Sequence, residues 1–383
     1  MKNLINRFFT FANGLYNMYA AKSKMKDGRK QPQIAPSVIF LSLILMVLFK
    51  KRSLLKLDQF MRMVSARNFF GREKRVAVSD STIARSLGTY SIPPLRKYLK
   101  SVYIKAKQNG KCKIDVCGRK LKAACVDGSQ FGGFYGCVLQ SLGEANLMLD
   151  IEPTTGKGKE LPTTRAMLER VFVEYGDGFV ELFLLDGLYK DKKNINLILS
   201  HKSHALIKTE ETRLNIIQDA NGLFTHWEKF PGVNYEKGFD IDRLCEYQVW
   251  SCGDFKHNGV DKLMKVAHVK ESYIKEDREE DFWVLTTDES LSGLQMRECG
   301  HIRWRIENNG FKAFDDQTNC DHVYTHDDHT FVALILMLFI GWNLLLLFDL
   351  EDVRKEYKYA KWTLDFLSEL LLMEFHLEYH ALS

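Results

Sequence analysis

The chain has 383 residues, 45% of them apolar and 27% charged, with 7 prolines and a formal net charge of +5. At about 150 residues per domain this is two or three domains with ample core, which excludes collagen-like, low-complexity and disulfide-stapled mini-protein classes. The charge is unevenly spread: residues 1–110 hold 22 Lys/Arg against four acids, whereas residues 111–383 hold 32 Lys/Arg against 45 acids. A basic module joined to an acidic one points to a polyanion as the partner of the first. Eight cysteines without a Cys-x-x-Cys pair read as reduced thiols of a cytoplasmic protein.

Residues 1–110 read as a basic, all-α domain. Apolar side chains recur at helical spacing in Ile5, Phe8, Phe9, Phe11 and Leu15, and Val38–Phe49 is an apolar run of 12 residues, too short to span a bilayer. Asp80 and Ser81 are placed to cap a helix starting at Thr82, with Pro93-Pro94 as its boundary. A helix-turn-helix here would present Thr82 and Arg85 to a DNA groove, and a plain helical bundle would give the same pattern.

After Gly110 the texture changes. Strands are predicted at Leu121–Val126, Gly133–Gln140, Asn146–Ile151, Phe179–Leu185 and Ala205–Lys208, with helices at Thr163–Tyr175 and Asn194–Leu199. That order is a mixed α/β sheet. Residues 210–281 are more polar, alternate at Tyr247–Trp250 and Lys262–His268, and read as a β-rich insertion. A strand at Phe282–Thr286, a capping box Thr286-x-x-Glu289 and a helix over Leu291–Asn308 follow, then helices at Thr330–Phe348 and Lys361–Tyr379. Phe331–Phe348 is 18 residues long, at the lower limit for a membrane span. Its acidic flanks, its Asn343 and the lack of a basic flank predict a buried core helix and no membrane partner. The expected divisions are 1–110, 111–209 (first part of a core), 210–281 (insertion), 282–350 (remainder of the core) and 351–383 (C-terminal helix).

Three carboxylates carry the chemistry. Asp127 and Asp186 each follow an apolar strand and precede a glycine, which places each at a strand's C-terminal end, where α/β sheets bind ligands. Glu307, in RWRIENNGF, sits late on the helix after the insertion and is in a position to join them. Converging carboxylates call for a hard cation, Mg²⁺ or its substitute Mn²⁺. Two such ions about 4 Å apart activate a water or 3′-hydroxyl and stabilise the leaving oxygen of a phosphodiester. No phosphate-cradling Gly-rich loop and no Ser/His/Asp order occurs, which disfavours ATP-driven and acyl-transfer chemistry.

VDGSQ around Asp127, LLDGLY around Asp186 and above all RWRIE around Glu307 resemble the DDE transposases of bacterial insertion sequences. The closest likeness is to the branch with a β-stranded insertion before the last acid and a Tyr-x2-Arg-x3-Glu-x6-Lys signature. The resemblance covers about residues 120–350 and implies an RNase H-like mixed sheet flanked by helices, in which Asp127, Asp186 and Glu307 hold two Mg²⁺. It implies double-stranded DNA as partner, both the element's inverted-repeat ends and the target, with a homodimer in the DNA complex. Arg303 and Glu307 match the signature; its tyrosine and lysine positions fall on Gly300 and Phe314. In the family those two side chains help hold DNA phosphates, a role for which Lys312 or His301 is the candidate here. Trp283 is a candidate to stack on a flipped base, and a core tryptophan is the other reading. The implied activity is metal-dependent cleavage at inverted-repeat ends and strand transfer; the rival is a DNA-binding protein of the same fold that no longer cuts.

Overall fold

The computed structural model describes residues 3–71, 78–154, 156, 158–306, 310–322, 324–357 and 362–380, the side chains of 304–306 apart. Glu307 lies outside the described residues.

The basic N-terminal segment folds into helices α1 (Leu4–Gly14), α2 (Met18–Lys22), α3 (Pro36–Leu48), α4 (Leu54–Met61), α5 (Val64–Phe69), α6 (Asp80–Leu87) and α7 (Ile92–Gln108). Ser79, one residue earlier than expected, caps α6 by accepting from the Thr82 amide. The Pro93-Pro94 pair lies in the first turn of α7, where a missing N–H costs nothing. Every side chain of α3 from Ile39 to Leu48 is buried, as its all-round apolar sequence requires.

Next come a small hairpin, β1 (Ile114–Val116) and β2 (Arg119–Leu121), and the strands β3 (Ala123–Phe131), β4 (Phe134–Leu142) and β5 (Met148–Thr154). Helix α8 (Glu160–Tyr175), β6 (Leu182–Asp186), α9 (Lys192–Ser200) and β7 (His204–Thr209) complete the central sheet. Its order β5-β4-β3-β6-β7 has three antiparallel strands followed by two parallel ones, the RNase H-like arrangement.

The insertion opens with a helix the polar texture did not suggest, α10 (Asn215–Phe224), and then forms β8 (Asn234–Asp240), β9 (Cys245–Phe255), β10 (Met264–Tyr273) and β11 (Arg278–Thr286). Because β11 pairs antiparallel with both β10 and β7, these strands prolong the central sheet to nine. Helix α11 (Gly293–Ile306) starts later than expected. Thr286 does not cap it: its hydroxyl accepts from Asp288 in the preceding turn, while Ser292 and Gln295 exchange the two bonds of the capping box, at 3.2 and 3.1 Å.

Two helices follow, α12 (Lys312–Thr318) and α13 (Asp328–Phe348), and the last is α14 (Leu364–His380). By length and composition α13 could cross a membrane, but 94% of its most apolar window is buried inside the fold. It packs against α3, α7 and β5, so the basic N-terminal helices share one core with the sheet. Gly341 makes the α3 contact possible, since a Cβ there would stand 3.0 Å from Val47 Cβ. Asn343, polar and buried, spends both ends of its amide on the Met148 backbone, accepting from N–H at 2.9 Å and donating to C=O at 2.7 Å. That is where the β4–β5 ladder slips its register.

Candidate active site

Side chains alternate along a strand, so one face of the sheet collects every second residue. On the face that α11 covers, Cys125, Leu184 and Leu206 form a row of the second apolar cluster. The next row towards the C-terminal end of β6 is polar. Lys208 pairs directly with Asp186, and the β3–β6 register, Cys125 opposite Leu184, brings Asp127 level with Asp186. Three neighbouring strands therefore offer Asp127, Asp186 and Lys208 side by side.

Asp186 ends its strand, as expected. The glycine after it is required by close approach, because a Cβ on Gly187 would lie 2.9 Å from Thr209 Oγ1. Asp127 does not end its strand. β3 continues through Gly128 to Phe131, held by antiparallel pairing to β4, and turns only at Gly132, where φ is +57°. What stops at this level is the parallel partner β6, and the gap it leaves exposes the Asp127 carboxylate.

Helix α11 closes the site from above. Arg303 Nη2 lies 3.3 Å from Asp127 Oδ2 and Nη1 lies 3.4 Å from Asp186 Oδ1, so one guanidinium bridges both aspartates. The donor set fits a divalent ion: two adjacent carboxylates whose oxygens already converge on a shared cation. Arg303 is largely buried and the aspartates are partly open to solvent.

The tilt of α11 is fixed by a buried charge network to the insertion. Glu271, on β10 and fully buried at its side chain, accepts from Arg297 Nε, from His301 Nε2 at 2.9 Å and from the Tyr273 hydroxyl at 2.8 Å. Arg297 also donates to Asp240 at 3.0 Å, and Arg243 ties Asp240 to Glu298. Burial pushes the Glu271 carboxyl up, but the bonds and charges of His301, Arg297 and Tyr273 outweigh it and hold its pKa at about 2. His301 is thus committed to α11's anchorage and is not free to replace the signature tyrosine.

The other predicted residues sit elsewhere. Phe314, at the signature's lysine position, is fully buried against Phe339 and Trp342. Lys312 is exposed at the start of α12. Arg85 is exposed on α6, its Nε 3.2 Å from the Ser81 carbonyl. Trp283 is 3% exposed and packs parallel to His268, with ring centroids 4.0 Å apart, and to Phe224 at 6.0 Å. It is one rung of a cross-strand aromatic series, Tyr235–Trp250–His268–Trp283, that fastens the insertion strands together.

Sequence reasoning passed over Lys208. Its ammonium sits 4.0 Å from the centroid of the Phe282 ring, and burial lowers its pKa, with Glu280, Glu271 and Glu210 acting the other way. The signal was present: on a strand of period two, the residue two beyond a core leucine faces the same side as the acid on the next strand.

No curated protein matches the chain. The family model described as the transposase DDE domain matches residues 72–344, which include Asp127, Asp186, the insertion and Arg303. Members of that family bind DNA and use divalent metal, and the bridged aspartates at the head of an RNase H-like sheet are suited to both. The chain belongs to the transposase DDE domain family and is a DNA transposase.

Proposed function

We propose that this transposase cuts DNA at the inverted-repeat ends of an insertion sequence and joins the freed ends to target DNA, using Mg²⁺ held by Asp127, Asp186 and Glu307. The observation that carries the reading is the shared guanidinium: Asp127 and Asp186 lie at one level of the sheet and both reach Arg303. A hard divalent ion in such a site lowers the pKa of a bound water and stabilises charge on phosphodiester oxygens. Asp127 and Asp186 would supply ligand oxygens from rigid strands, and α11, whose Arg303 bridges them, is anchored by Glu271, so the two aspartates are held in place before substrate arrives. Arg303 then has a second use: displaced from the aspartates, its planar fork is free to grip a phosphate. Arg85 and Lys312 lie on exposed surface suited to backbone contacts away from the cut. Mn²⁺ should substitute for Mg²⁺, the working unit on DNA is a homodimer, and the protein acts in the bacterial cytoplasm.

The rival, a relative that binds without cutting, draws on Phe314, whose burial removes that position from DNA. Incubation with a duplex copied from the DNA flanking the reading frame separates the two. Strand breaks at the repeat boundary with Mg²⁺ and none with chelator support the enzyme. Tight binding with no breaks in Mg²⁺ or Mn²⁺ supports the rival.

A further inference from the structure

We propose that Glu160 is a fourth carboxylate of the cleavage site, holding a divalent ion jointly with Asp127. This rests on the reading that the aspartate pair is where metal is held.

The backbone of Gly128 brings the two acids together. Its N–H donates to Asp127 Oδ1 at 2.9 Å, and a Cβ built on it would stand 3.1 Å from Glu160 Cγ and 3.9 Å from Oε1. One glycine thus touches both side chains, and any larger residue at 128 would press on Glu160.

Register and a thiol fix Glu160 in that place. Cys137 on β4 is the antiparallel partner of Gly128, is fully buried, and donates through Sγ to the Glu160 carbonyl at 3.5 Å. Helix α8, which Glu160 opens, is tied to α9 by Arg165 and Asp191 at 2.7 Å and to β5 by Arg170 and Asp150 at 2.7 Å. Burial raises the pKa of the Cys137 thiol, to about 11, and of the Tyr189 hydroxyl, and the charges of Asp127 and Glu160 together raise each further. The two acids therefore face the same buried groups.

The charge of Glu160 has no internal counterion. Its carboxylate is half-buried and, among the described residues, forms no ion pair or hydrogen bond, whereas Asp127 and Asp186 share Arg303. The helix dipole favours an ionised acid in the first turn. An acid serving only that end of the helix would turn to solvent, and this one is turned onto the strand beside Asp127. Two divalent ions carry four positive charges; Asp127, Asp186 and Glu307 offer three negative ones, and Glu160 offers the fourth.

The test titrates Mn²⁺ into the full chain and reads the unbound ion by its electron spin resonance signal. Glu160→Gln keeps the side chain's size and removes its charge, and Glu169→Gln makes the same change at an exposed position of α8. Glu160→Gln should weaken Mn²⁺ binding about 10-fold or more, and Glu169→Gln should bind it as the parent does. Parental affinity in Glu160→Gln, or equal losses in the two glutamate variants, would overturn the proposal. Should Glu160→Gln fail to fold, carbodiimide labelling of the unmutated chain replaces it. Glu160 must then be labelled in the metal-free chain and shielded by Mn²⁺, and equal labelling refutes the assignment. Asp186→Asn separates the two readings. If it loses Mn²⁺ binding while Glu160→Gln keeps it, Glu160 alone leaves the site; if it binds Mn²⁺ as the parent does, the aspartate site itself falls.

Discussion

Asp127 and Asp186 share one cation: Arg303 contacts the first through Nη2 at 3.3 Å and the second through Nη1 at 3.4 Å. The guanidinium stands where two carboxylates would otherwise repel each other. It follows that Arg303 competes with divalent metal for the same oxygens.

Arg303→Gln should therefore lower the metal-free melting temperature, by about 2 °C for a partly exposed pair worth about 1 kcal/mol. Added Mg²⁺ should then raise it by more than it raises the parent's. Thermal melts with and without the ion check this, and an identical metal-induced shift in both proteins contradicts the competition.

Glu271 is the anchor of α11. Its depressed pKa of about 2 means that its stabilising effect is complete above the unfolded carboxylate range, near pH 4.5, and is lost as pH falls towards 2. Glu271→Ala leaves the buried Arg297 with Asp240 alone as carboxylate partner and His301 with none at that position, and should cost about 3 kcal/mol at neutral pH. It should also flatten the acid-denaturation profile between about pH 4.5 and 2. Urea melts across that range read both effects, and an unchanged profile would remove Glu271 from the anchorage.

Much of this arrangement is legible in the sequence, and the failures have physical causes. The strand ending in Asp186-Gly187 is signalled by an apolar run of LFLLD type closed by a glycine, because a buried parallel strand is apolar on both faces. Asp127-Gly128 looks the same locally yet lies mid-strand, since it is pairing to β4, remote in a propensity reading, that carries the strand on. The capping box was misplaced from Ser292–Gln295 to Thr286–Glu289 because both stretches have the same spacing pattern. Helix α10 was hidden by polar residues facing solvent, with Ile216, Ile217, Ala220 and Phe224 as its buried side. Lys208 was passed over because a strand's end lysine is ordinarily solvated, and only register places this one beside an aspartate.

Asn343 holds the long apolar helix against the sheet. Asn343→Leu would strand the Met148 N–H and C=O in the core and should cost about 2–4 kcal/mol. A melt within a degree of the parent's would contradict this account of the α13–β5 contact.

DNA binding by the basic helices should be steep in salt, because residues 1–110 carry 22 Lys/Arg against four acids. The full chain is the object to test, as a fragment ending at 110 would expose α3 and its shared core with α13. Arg85→Ala should reduce the slope of log affinity against log salt by about 0.9 if it contacts one phosphate. A slope equal to the parent's would place Arg85 off the DNA.

The most direct test of the account is Asp186→Asn, which keeps the side chain's shape and removes one charge from the metal-holding pair. One preparation is assayed twice, by gel shift and by Mg²⁺-dependent nicking of the same end-sequence duplex. The account predicts binding within about threefold of the parent, since phosphate contacts lie mostly elsewhere, and nicking reduced below detection. Nicking at the parental rate would show that Asp186 holds no metal, and the two-aspartate site would have to be abandoned.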